Sequence, residues 1–250
     1  MFNLIEKFHM KKTLIALAAL ASTSAFAQVT VYGRLDTGFS QNVTSVKTAG
    51  VTVDTKDNGV TTSNQSSSRW GIKGTEDLGG GMKANFVLES ALNSDSGAAQ
   101  AKAWGRASTV GISGSFGSVR LGFAETPLNL VTAAGDVFGQ SGASASQLFP
   151  DSKRASDAIF YDYAANGFSL GLLYGDNDSG TTATPATSAT TGASVAYASG
   201  PLYVGLGWGA INTQAGAVSA KNDGYGLSAS YDFGAAKLFG QFIQGKAQAN

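Results

Sequence analysis

From Val29 onward the chain alternates apolar and polar residues with a period of two, over short runs separated by turns. The stretch SRWGIKGTEDLGGGMKANFVLES, residues 68–90, shows it most clearly. Trp70 and Ile72 fall on one face of a first strand, and Arg69 and Lys73 on the other. After Gly79–Gly81 the pattern restarts, with Ala84, Phe86 and Leu88 opposite Lys83, Asn85 and Glu89. Alternation of this kind means a strand with one apolar and one wet face. A soluble sandwich and a membrane barrel both produce it.

Eleven such strands can be followed. The first spans about 29–40, and a polar connection follows over 41–67. The hairpin of 68–90 supplies the second and third, and 91–101 is again polar. The fourth (105–113) and fifth (about 118–123) turn at 114–117, and a long segment runs from 124 to 154. The sixth (156–163) and seventh (168–175) turn at 164–167, before a polar loop over 176–191. The eighth (193–198) and ninth (202–208) precede a loop over 210–222, and the tenth (225–231) turns at 232–234 into the eleventh (236–244). No amphipathic helix and no domain linker is evident beyond Ala27.

Short and long connections alternate strictly along this series. A sandwich has no reason for that, whereas an outer-membrane barrel pairs short periplasmic turns with long external loops. Phe39, Tyr174, Trp208, Tyr225 and Tyr231 lie near the ends of apolar stripes, where interfacial girdles belong. The opposite faces carry Gly, Ser, Asn and charged residues, a poor core but a good lining for water. The pattern therefore predicts an all-β, transmembrane, antiparallel up-and-down barrel.

The amino terminus changes the picture of where this barrel ends up. From Met10 the chain reads MKKTLIALAALASTSAFA, a basic end, an apolar stretch and a small-x-small cleavage site. It reads as a secretory signal peptide over residues 1–27, with Met10 as the natural start. The competing reading is a buried helix. Cleavage after Ala27 removes His9, the single histidine, and the chain has no cysteine. The mature part carries 14 Lys and Arg against 16 Asp and Glu, a net charge of −2 that makes no case for nucleic acid.

Catalytic chemistry has little to work with. Without His or Cys, Ser-His-Asp and Cys-His arrangements and the usual zinc sites are excluded. Gly79–Gly81 joins two strands, not a strand to a phosphate-cradling helix. Asp176-Asn177-Asp178-Ser179-Gly180 lacks the terminal Glu of a calcium loop and reads as a solvated loop. No carboxylate pair stands out for glycoside hydrolysis. The expectation is a protein that is not an enzyme and holds no cofactor or metal.

The charges on the polar faces are more informative. Arg34, Arg69, Lys73, Lys83, Arg106, Arg120 and Lys237, with Asp36 and Glu89, fall there by parity. An Arg on the lipid face would cost about 2–4 kcal/mol near the midplane, so these residues are expected to face the lumen. Rings of charge set ion preference in a pore. For each residue taken singly, wall solvation or mutual pairing is an equal reading. The 124–154 segment is longer than a connection needs and holds Glu125, Asp136, Asp151, Lys153 and Arg154 among apolar anchors such as Leu128 and Leu130. That composition suits a segment folded inward onto the wall, with an ordered surface loop as the alternative.

With these residues laid out, the chain resembles the Gram-negative general-diffusion porins of the β-proteobacterial and neisserial type. VTVYGRLDTGF at 29–39, SRWGIKGTEDLGGGMKANFVLE at 68–89, GSFGSVRLG at 114–122 and SYDFGAAKL at 230–238 carry the resemblance. It implies a porin domain over 28–250, a sixteen-stranded barrel, a homotrimer in the outer membrane, and a third loop (124–154) folded into the lumen. On this chain it makes Arg34, Arg69, Lys83, Arg106 and Arg120 the wall residues of the eyelet, and Glu125 and Asp136 the loop residues facing them. The chain departs from the family pattern at Phe123 and Phe160, where a basic residue is common, which implies a less basic eyelet. It also carries eleven strands rather than sixteen and ends in Asn250 rather than a terminal aromatic. The expectation is that the carboxy-terminal part of the barrel is missing from this sequence.

The function so implied is passive diffusion of ions and small hydrophilic solutes, with a lean toward anions because the wall charges are mostly basic. The alternative is a non-conducting outer-membrane adhesin or structural barrel plugged by its own loops. Steady conductance separates the two.

Overall fold

The computed structural model describes residues 28–137, 153–180 and 185–249. The signal-peptide expectation, and much of the 124–154 segment with Asp151, lie outside them. The described residues form thirteen strands and one helix. The strands are β1 (Gln28–Arg34), β2 (Thr37–Thr48), β3 (Val51–Thr62), β4 (Arg69–Gly79), β5 (Met82–Ala91), β6 (Ala107–Gly114) and β7 (Gly117–Glu125). After helix α1 (Pro127–Ala134) come β8 (Arg154–Ala165), β9 (Phe168–Gly180), β10 (Pro185–Ser199), β11 (Leu202–Ala215), β12 (Val218–Asp232) and β13 (Lys237–Ala249). Eleven of them make one sheet in the order β1-β4-β5-β6-β7-β8-β9-β10-β11-β12-β13. Every pair in it is antiparallel. Strand follows strand, as in an up-and-down barrel wall.

The opening hairpin is β4–β5, in the register Ile72↔Leu88 and Gly74↔Phe86. Its turn needs glycine: Gly79, Gly80 and Gly81 sit at φ of 79°, 61° and 79°. Side chains with a Cβ are disfavoured there.

The sheet is apolar on the outside. Val31 is 72% exposed and Phe242 53%, while Ser68 and Ser228 are fully buried. A water-soluble protein would do the reverse. Lipid is the solvent that fits, because strand after strand of this wall pairs its backbone groups with its neighbours.

Helix α1 shows that the sheet curls. Thr126 is held to β8 by its amide, which donates to the Lys153 carbonyl next to that strand. Six residues on, the Thr132 carbonyl accepts from Gln241 Nε2 of β13 at 2.5 Å. The helix rises about 9 Å over those residues. Five strand steps along a flat sheet would cover about 24 Å. The two anchors are compatible only if the wall wraps around α1, which puts the helix on the concave side.

Five expectations are corrected. The first strand breaks at Leu35–Asp36, and the polar connection 41–67 is mostly a second sheet, the β2–β3 ribbon in the register Thr48↔Val51 to Thr37↔Thr62. Both of its faces mix polar and apolar residues, with Phe39 opposite Val60 and Val46 opposite Val53, so no clean alternation announced it, although its Thr and Val content favours strand. The loop expected at 210–222 is strand up to a turn at Gly216. The loop at 176–191 is strand on both sides of residues 181–184, which lie outside the described ones. A helix exists where none was foreseen. Thr126 caps it by accepting from the Asn129 amide at 3.2 Å, and Pro127 opens its first turn.

Asp36 is a clasp and not part of the wall. Its Oδ2 accepts from the amides of Ser66 (2.6 Å) and Gln65 (2.8 Å), tying the root of the ribbon to the start of β4. Those amides, Ser66 first, hold its carboxyl below the usual carboxylate range. The clasp is fully present above the ordinary carboxylate pKa and is lost as pH falls through the depressed folded value. The protection factors of amides 65 and 66 against exchange are expected to fall in that acid window, and at neutral pH in Asp36→Ala. Equal protection at both pH values in the native chain would remove the clasp.

Candidate functional site: a basic cavity beside the inner helix

The concave face carries two different surfaces. Over β9–β12 it is stripped to glycine, and α1 packs there. A Cβ at Gly207 would lie 2.9 Å from the Leu128 Cα, and one at Gly226 would lie 2.7 Å from Thr132 Cγ2. Glycine here lets a helix approach the backbone of the wall. Pro127, Leu128, Asn129, Val131 and Thr132 are buried in that contact. This buries a polar-looking glycine stripe that parity alone assigns to water.

Over β1 and β4–β8 the same face is charged. Glu89 on β5 is the hub: it accepts from Arg106 Nε at 2.6 Å and from the Tyr32 hydroxyl at 2.9 Å. Arg69 Nε lies 3.9 Å from Oε2, the oxygen that accepts from Tyr32. Arg154, at the start of β8, donates from Nε to the Arg106 carbonyl at 2.9 Å and from Nη2 to Glu125 at 2.6 Å. Arg34 donates to the Ser66 hydroxyl. Forked guanidinium contacts of this sort fix side chains in place as well as adding energy. Removing Glu89 would leave Arg106, whose side chain is 12% exposed, without its carboxylate. Glu89→Gln is therefore expected to destabilise the protein by about 3 kcal/mol, read as an earlier thermal transition.

Arg69, Arg106, Glu125, Lys153 and Arg154 line one cavity of about 310 Å³ with Ser66, Ser67 and Ala133 of α1. Four cations meet two carboxylates, Glu125 in the lining and Glu89 behind it. Among the described residues two positive charges remain in excess.

Of the residues expected at an eyelet, Arg69, Arg106 and Glu125 are thus brought together, with Arg34 held at the rim through Ser66. Arg120 stands apart. It pairs with Asp162 at 2.7 Å and lies over the Phe160 ring at 5.1 Å from its centroid. Phe160 is 1% exposed, in a cluster with Ala124, Ala155, Ala158 and Leu173. The aromatic that replaces a familiar basic residue therefore serves as a platform for Arg120. Phe123 meets Lys102 across its ring at 5.4 Å. Lys83 sits exposed near the glycine turn, eight residues along β5 from the Arg69 partner Ala91, about 27 Å away. Asp136 follows the helix end, half-buried, with its amide donating to the Ala133 carbonyl.

Asp162 and Tyr32 are site residues that the sequence reading did not single out, and Arg154 and Lys153 were named there only as charges of the 124–154 segment. The inward parity that Asp162 shares with Phe160 was the available signal.

A sheet that is oily outside, polar and charged inside, and wrapped around one inserted helix is the wall of a membrane channel. The family model for the Gram-negative porin matches residues 13–250, and the chain belongs to that family. It is 40% identical over 255 residues to outer membrane porin protein 32 of Delftia acidovorans, covering 95% of this chain and 70% of that one. With an outer membrane porin of Bordetella pertussis the identity is 35% over 267 residues, covering 92% and 68%. Among solved structures, the anion-selective porin from Comamonas acidovorans superposes with a TM-score of 0.77 at 34% identity, over 90% of this chain and 70% of that one. The protein is an outer-membrane porin, a barrel of antiparallel strands forming a water-filled channel for passive diffusion of ions and small hydrophilic solutes.

Proposed function

We propose that the channel prefers anions, and that the cavity between the Arg69–Arg106–Arg154 wall and α1 is where the preference arises. The observation that carries this is the excess of two positive charges at that cavity. In a low-dielectric wall such a field concentrates counter-ions. The name of the similar Comamonas porin, an anion-selective one, supports the reading. Segment 124–154 acts as the constriction loop, Glu125 trimming the wall charge through its pair with Arg154. Arg120 contributes a second, neutralised station nearer the turns, and Lys83 lies outside the narrow zone. Conductance in potassium acetate is expected to fall well below that in potassium chloride, while lithium chloride gives nearly the potassium chloride value. A conductance that follows the cation instead would overturn the reading.

The assembly is a homotrimer, as the family resemblance implies. The wide apolar outer surface supports it, since such a surface serves a neighbouring copy as well as lipid. Unheated electrophoresis should show a band near three times the mass of the mature chain, collapsing on boiling.

A further inference from the structure

A second cavity lies on the turn side of α1. It measures about 460 Å³ and is walled by Leu130 and Val131 of the helix and by Ala164, Ala196 and Tyr203 of the sheet. Leu130 is 45% exposed, although its helix neighbours Leu128 and Val131 are 5% and 3% exposed. A large apolar side chain kept in contact with the water of a pore is unusual. Among the described lining residues the one carboxylate, Asp162, is already held by Arg120 at 2.7 Å, so they present no unbalanced charge. Its volume is in the range of small-molecule sites.

The two cavities meet on one helix face. Ala133 lines the basic one and Leu130 the apolar one. Residues three apart on a helix have Cβ atoms about 5–6 Å apart. A planar ring bearing a carboxylate spans such a step, with the carboxylate beside the arginines and the ring against Leu130 and Tyr203.

We infer that this channel holds a transit site for small aromatic carboxylates, a class of solute that binds across both cavities. The inference rests on the anion reading above for the head group and on the apolar cavity for the ring. An aromatic carboxylate should dwell in the pore where a purely polar anion passes. The ring adds apolar burial that acetate cannot make.

The test is titration of single-channel current with four probes: benzoate, acetate, benzylammonium and benzyl alcohol. Benzoate is expected to reduce the current at a concentration about tenfold below acetate, the scale set by burying part of one ring. Benzylammonium and benzyl alcohol should both be weaker than benzoate. Leu130→Asn should bring the benzoate-to-acetate ratio close to one. Ala196→Gln, which fills the cavity from the wall, should do the same without touching the helix. A ratio near one in the native channel, a ratio unmoved by both variants, or benzylammonium matching benzoate would overturn the proposal. A cation-preferring reversal potential with the benzoate ratio intact would instead sink the anion reading and leave the ring site standing.

Discussion

Arg154→Glu is expected to abolish the anion preference. The substitution swings the cavity charge by two, from an excess of two to balance. It also sets two carboxylates facing each other where Arg154 now meets Glu125 at 2.6 Å. At an effective dielectric near 20, like charges about 4 Å apart repel by about 4 kcal/mol, so the two side chains will swing apart. The anion-to-cation permeability ratio should fall about fivefold or more. Arg154→Gln removes one charge and should give an intermediate ratio, which separates an electrostatic cause from a steric one. Planar-bilayer measurements on both variants check this. Unchanged selectivity in Arg154→Glu would show that the charge setting the preference lies elsewhere.

Gly207→Leu is expected to dislodge the inner helix. The glycine face of β11 lies against Leu128 with no room for a Cβ, and neither group is the end of a flexible side chain. Overpacking of a close contact costs about 1–3 kcal/mol. The contact is also what keeps α1 against the wall and out of the water path, so the helix should shift into the lumen. Both a lower thermal transition and a smaller single-channel conductance are expected. Gly240→Leu is the control, because nothing lies within 4 Å of a Cβ there. A Gly207→Leu channel with native conductance would mean that α1 is not held by this stripe.

The wall strands were legible because their two faces meet different solvents. Trp70, Ile72, Phe86 and Leu88 alternate with Arg69, Lys73, Lys83 and Glu89, and the eleven wall strands correspond one to one with that pattern. What escaped it did so for physical reasons. The β2–β3 ribbon is exposed on both sides and mixes polar and apolar residues on each, so alternation carries no signal there. Helix α1 is eight residues long and apolar nearly all round, so no helical period shows; only Thr126-Pro127 marked its start. The glycines of β9–β12 looked like a wet face because glycine does not say whether water or a helix covers it.

The charged site was legible in part for similar reasons. Parity carried back along β6 would put Arg106, which precedes that strand, on the outer face with Val110 and Ile112, whereas Arg69 follows from strand parity. Arg154 does not, because its register passes through a bulge between Gly122 and Ala124, where Asp157 on the facing strand takes a φ of 53°. Parity also cannot say how far along a strand a charge sits, which is why Lys83 looked like a partner of Arg69. Nor can it show that Glu89 and Glu125 already neutralise half of the cations around them.

The account turns on the sign of the field that remains. The most direct measurement is the zero-current potential of the native channel across a tenfold potassium chloride gradient. It is expected to lie on the chloride side of zero, and a value on the potassium side would contradict the assignment of the arginine cavity as the selecting element.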